Sequence, residues 1–90
     1  MDKKELVIAV IETLRRESVC RGLSLQSKIK VDLNTSLPIL RVLRDMELIV
    51  CSGTLASPET AEDAFFSAAP ELYRVYPASP LIRKIVRAVK

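Results

Sequence analysis

The side chains that could carry chemistry in this ninety-residue chain are two cysteines, Cys20 and Cys51, fourteen Lys and Arg, and eleven Asp and Glu; histidine is absent. Without histidine the chain lacks the commonest general base near neutral pH and the commonest zinc ligand. Two thiols cannot close a four-ligand zinc site, and two glycines cannot build a glycine-rich phosphate loop. Glu59, Glu62 and Asp63 follow Ser57-Pro58, where carboxylates favour the positive end of a helix. They read as helix-start acids and not as a paired-carboxylate site. No enzyme, metal or cofactor is expected. What remains is electrostatic: a net charge of +3 and a pI near 9.1 suit a polyanionic partner.

The elements that must position these groups follow from periodicity. Leu6, Val7, Val10, Ile11 and Leu14 recur on one helical face, so residues 2–17 read as a helix, with Asp2 and Glu5 as a capping pair. Residues 18–23 form a connection with room for a short strand, and Gly22 stops the first helix. Ser24 is placed to cap a short helix over Leu25–Lys30. A tight turn at 31–34 leads to a third helix reaching Glu47, with Leu37, Leu40, Val42, Leu43 and Met46 inward. Pro38 belongs in that helix's first turn, which puts its cap at Thr35, Ser36 or Leu37. Leu48–Cys51 and Leu72–Tyr76 read as strands, the second stopped by Pro77. The insert between them contains a short helix capped by Ser57 with Pro58 at its first position. Pro77-Ala78-Ser79-Pro80 forms a rigid joint. A final helix over about 79–90 sets Leu81, Ile82, Ile85, Val86 and Val89 against Arg83, Lys84, Arg87 and Lys90. The expectation is a single α+β domain over 1–90, mostly helical.

The longest apolar run, Leu6 to Ile11, is six residues, against about twenty for a membrane helix. Glu12, Arg15, Arg16 and Glu17 follow where a secretory signal would need small residues, so a cytoplasmic protein with no membrane contact is expected. Asn34 and Gln26 are the sole side-chain amides beside abundant Arg, Glu and Lys, a balance that leans toward a thermophilic source.

The stretch Leu33-Asn34-Thr35-Ser36-Leu37-Pro38-Ile39-Leu40-Arg41-Val42-Leu43-Arg44-Asp45-Met46-Glu47-Leu48-Ile49, with the order of elements around it, resembles a winged helix-turn-helix domain of the MarR/ArsR-like superfamily. The resemblance implies a small antiparallel β-wing (insert at about 53–71) and a C-terminal helix. It implies a dimeric transcriptional regulator that binds double-stranded DNA, the homodimer pairing through that helix. A major groove about 12 Å wide admits one helix, whose first residues reach base edges while Lys, Arg and hydroxyls hold phosphates. The matching positions are Gln26, Ser27, Lys28 and Lys30 around the second helix, and Asn34, Thr35, Ser36, Arg41 and Arg44 on the third.

Three features depart from that pattern. Leu37, Pro38 and Ile39 are apolar where the family exposes polar side chains, which favours an alternative: a winged-helix protein-interaction module docking through this patch and the insert. Glu47 stands where glycine is usual before the wing strand. Residues 55–72 carry four carboxylates and no cation, whereas residues 73–90 carry five cations and no carboxylate. The acidic insert therefore suits a basic C-terminal helix, within the chain or across a dimer. The implied topology also lays the short strand at Cys20 beside the wing strands. Three states are open for the thiols: a disulfide closing about thirty residues, worth about 3–4 kcal/mol; two buried free thiols; or a redox sensor.

Overall fold

The computed structural model describes residues 2–76 and 79–89. Six helices and one three-stranded sheet follow in the order α1 Lys3–Arg16, β1 Cys20–Arg21, α2 Gly22–Ile29, α3 Leu33–Asp45, β2 Ile49–Ser52, α4 Pro58–Glu62, β3 Phe65–Ala68, α5 Pro70–Val75 and α6 Ser79–Ala88. The chain is thus α+β and mostly helical, and no described helix is long and apolar enough to cross a membrane. Pro77 and Ala78 of the expected joint, and Lys90, lie outside the described residues.

The apolar face of α1 is the one its spacing predicts: Leu6, Val7, Val10, Ile11 and Leu14 are all buried. Asp2 caps this helix, accepting the Glu5 N–H at 2.8 Å. These side chains meet Leu25 and Ile29 of α2, Leu33, Leu37, Ile39, Leu40 and Leu43 of α3, Phe66 of β3 and Ile82 and Ile85 of α6 in one core. Burying side chains of this size is the main source of stability, at roughly 1.5–3 kcal/mol each before entropy.

The sheet has the order β1-β3-β2, antiparallel throughout. Its middle strand is Phe65–Ala68, not the expected Leu72–Tyr76. That second segment completes α5 instead, a helix opened by Pro70 and Glu71 and ending at Val75 with Tyr76 as its C-cap. The β-forming content of Leu72–Tyr76 is overruled because Phe66 fills the core from a strand bonded on both edges, while Leu72 is buried from a helix. Register also settles the thiols. Cys20, Phe66 and Cys51 are cross-strand partners in one row, so β3 lies between the cysteines. Two strand spacings are about 9.6 Å, beyond the roughly 7 Å Cα limit for a disulfide. Of the three open states the bridge is excluded: both thiols are free, Cys20 buried and Cys51 partly accessible.

One correction and one expected feature concern glycine and its substitute. Gly22 does not stop α1, which ends at Arg16; it opens α2 at a close backbone crossing. A Cβ there would lie 1.8 Å from the Ala61 carbonyl oxygen, so only glycine fits. The end of α3 does use a left-handed residue, and it is Glu47 (φ 61°). Glu47 N–H reaches the Arg44 carbonyl and Leu48 N–H reaches the Leu43 carbonyl, both at 2.9 Å, which is a Schellman closure made without glycine.

Candidate nucleic-acid interface

The corner between α2 and α3 is held by side chains whose polarity first suggested DNA. Lys30 ends α2 in the left-handed region (φ 58°). Gln26 Oε1 accepts the Leu33 N–H at 2.9 Å, and Asp32 Oδ1 accepts the Thr35 N–H at 3.0 Å. Asp32 is therefore the cap of α3, and the helix starts earlier than expected. Ser24 likewise does not cap α2, which has Arg21 at that position and no side-chain cap. Pro38 then falls in the second turn of α3, where its missing N–H leaves the Asn34 carbonyl without a helical donor.

The expected contact residues separate into two groups. Ser27, Lys28, Lys30, Asn34, Thr35 and Arg44 are exposed. Ser36 has no accessible surface, and its hydroxyl donates to the Asp32 carbonyl at 3.3 Å, so it cannot touch a ligand. Gln26 is half-buried and occupied in the turn. Arg41 turns toward the β2–α4 connection, where Nε donates to the Leu55 carbonyl at 2.8 Å and a terminal nitrogen donates to the Ala56 carbonyl at 3.0 Å. Even the exposed cations are drawn apart. Lys28 pairs with Glu17 at 2.6 Å, and the Lys28 hydrogen bond holds that carboxyl below the usual range. Arg44 leans on Asp45 at 3.3 Å.

The alternative docking patch is corrected too. Leu37 and Ile39 are buried, at 4% and 1% exposure, and only Pro38 of that trio is partly accessible. The insert folds back onto its own chain: α4 packs on α2 and α3, with Ala61 and Leu55 buried. Arg21 at the start of α2 forms an ion pair with Asp63. Within the chain, then, α4 is seated on the helix pair α2–α3, and α6 is seated on α1 and α3.

A second surface was not foreseen. Between α1 and α6 runs a groove of about 440 Å³ lined by Lys4, Ile8, Tyr76, Ile82, Arg83, Val86 and Arg87. Its floor is apolar, its rim carries three cations, and no carboxylate lines it. Glu12, on the same face of α1, accepts the Tyr76 hydroxyl at 2.7 Å. Burial first, and then that bond, raises the Tyr76 pKa. The Arg15 guanidinium stacks 4.6 Å from the Tyr76 ring and 5.6 Å from the Tyr73 ring, fixing the end of α5 against α1. The sequence signal was the one-sided charge of the last helix, but the groove needed the pairing of α6 with α1 to be seen. Compared with known protein families, with curated proteins and with solved structures, the chain matches none.

Proposed function

We propose that the chain is a winged helix-turn-helix domain that binds double-stranded DNA through the α2–α3 corner, in the role of a small transcriptional regulator. The observation that carries this reading is topological. A helix, a short strand, two helices joined by a tight turn and two further strands follow one another, and the strands pair in the order β1-β3-β2, an arrangement that supports the winged-helix reading. Exposure supports it as well: Asn34 and Thr35 stand open in the first turn of α3, where such a helix reaches base edges. Ser27, Lys28, Lys30 and Arg44 supply hydroxyl and cationic partners for phosphate. Gln26, Ser36 and Arg41 drop out of the contact set because the fold uses them.

With three cations at the corner, the slope of log affinity against log salt is expected to be near −3, at about −0.9 per neutralised phosphate. Fluorescence anisotropy with a random duplex over a salt series measures it. Lys30→Ala should weaken binding and lower the slope by about one. Absence of duplex binding at low salt would remove this reading.

A second reading has one observation in its favour. Segments 2–17 and 79–90 carry eight cations and four carboxylates, whereas residues 18–76 carry six cations and seven carboxylates. The net positive charge thus comes from the last segment, since 2–17 balances four cations with four carboxylates while 79–90 has four cations and no carboxylate, and it does not come from the corner that would face DNA. A protein-docking module using the α1–α6 side fits that distribution. It predicts that Arg83→Glu with Arg87→Glu abolishes partner capture, while Asn34→Ala and Thr35→Ala leave it intact.

A further inference from the structure

The groove between α1 and α6 has an apolar floor and a cationic rim, so its complement is an apolar anchor with carboxylates around it. The same chain carries such a feature. Val19, Leu23, Val50, Phe65 and Tyr73 are the exposed large apolar side chains among the described residues. Of these, Phe65 (47% exposed) stands two positions after Asp63 and three after Glu62, with Glu59 one turn earlier in α4. Asp63 is paired with Arg21, but its side chain is 74% exposed, and a surface pair of that kind leaves it open to a second cation.

Within one molecule the knob does not fill the groove: α4, which leads into Phe65, is seated on α2 and α3, whereas the groove runs between α1 and α6. We infer that the chain associates head to tail with a second copy, the acid-flanked Phe65 of one molecule entering the α1–α6 groove of the next. Ile8, Tyr76, Ile82 and Val86 receive the ring, and Lys4, Arg83 and Arg87 face Glu59, Glu62 and Asp63. The twofold α6-on-α6 dimer expected from sequence is disfavoured by the same charges, because it would bring Arg83, Lys84 and Arg87 against their own copies. A heterologous contact of this sort adds molecules until it closes into a ring or runs on as a filament.

Sedimentation velocity of the full chain over a concentration series tests this at low and high salt. Species larger than a dimer are expected at low salt, shrinking as salt screens the rim. Phe65→Ala should weaken association by about tenfold or more, as should Arg83→Glu with Arg87→Glu, each with an unchanged circular dichroism melt. The decisive arm mixes the two variants. Each keeps one intact surface, so the mixture should form a one-to-one dimer and nothing larger. A monomeric wild-type chain at low salt would overturn the inference. So would an association indifferent to Phe65→Ala, or a stable dimer of the Phe65→Ala variant alone. None of these outcomes touches Asn34, Thr35 or Lys30, so the DNA reading stands or falls separately.

Discussion

Cations on the two sides of the molecule meet different fates. Around α2, α3 and the β2–β3 connection, the fold draws them in: Arg41 binds two loop carbonyls, Lys28 pairs with Glu17, Arg21 with Asp63 and Arg44 with Asp45. On α6, Arg83, Lys84 and Arg87 are exposed, and among the described residues none of them enters an ion pair. A basic residue in a helix-turn-helix segment is therefore not by itself a phosphate contact. Its availability depends on what the rest of the chain lays beside it: the folded-back insert takes Arg41 and Arg21, Glu17 takes Lys28, and Lys30 stays exposed.

The sharpest way to break the α2–α3 side is to dislodge that insert. Gly22→Ala places a methyl 1.8 Å from the Ala61 carbonyl oxygen, a backbone atom that cannot step aside alone. Destabilisation of about 3 kcal/mol or more is expected by urea titration. A loss under 1 kcal/mol would mean that α4 does not rest on α2 in solution.

The arginines test the comparison directly. Arg41→Ala removes two charge-assisted bonds and leaves the Leu55 carbonyl, on a residue 2% exposed, without its donor. The expected cost is about 2 kcal/mol, a fall in Tm of roughly 8–16 °C for a domain of this size. Arg83→Ala should stay within about 0.5 kcal/mol of the parent. Equal effects would erase the distinction between structural and free cations.

Much of this architecture is readable in the residues themselves, because the signals are local. The stripe of α1, the Ser57-Pro58 start of α4 and the apolar side of α6 need no knowledge of the rest of the chain. The failures are non-local. Phe65–Ala68 is four residues long and ends in Ser67 and Ala68, a weak strand by propensity, and it is a strand because β1 and β2 bond to it from either side. Gly22 answers to Ala61, thirty-nine positions away, and no spacing rule reports that. The rule confining proline to a first turn misplaced the α3 cap, although Asp32 with Thr35 three positions on was already a capping signal. Asn34, Thr35, Lys28 and Lys30 could be picked out as surface polar groups. That Ser36 and Arg41 face inward depends on contacts made with Asp32 and with the loop before α4.

A smaller gain is expected at the end of α3. Glu47 holds a conformation that costs an L-residue roughly 1 kcal/mol and glycine nothing. Glu47→Gly should raise stability by about 1 kcal/mol in thermal melts. The thiols offer a comparison without a stability change. Burial raises the pKa of both, with Cys20 at 2% exposure and Cys51 partly accessible. Neither is a ready thiolate at neutral pH. Intact mass should be the same with and without reductant, and alkylation above pH 8 should label Cys51 before Cys20. A mass lower by two hydrogens without reductant would contradict the strand order.

The smallest effect bears on whether Lys28 is free to meet phosphate. Asp2 and Glu17 stand at the two ends of α1, and hydrogen bonds hold both carboxyls below their ordinary pKa: from the Glu5 N–H to Asp2, and from Lys28 to Glu17. A folded-state pKa below the unfolded one means that the unfolded chain takes up protons first as acid is added. The stabilisation is complete above the ordinary carboxylate range, declines as pH falls through it, and vanishes below the folded-state values. Asp2 is exposed and Glu17 partly so, so the change is modest and shrinks with salt. Thermal melts from neutral pH into acid should therefore show Glu17→Gln less stable than the parent at pH 7, with the gap closing in acid. If the two proteins run parallel across the whole range, the Lys28–Glu17 pair does not hold in water. In that case Lys28 belongs with Lys30 among the open cations, and the α2–α3 corner is more basic than its ion pairs suggest.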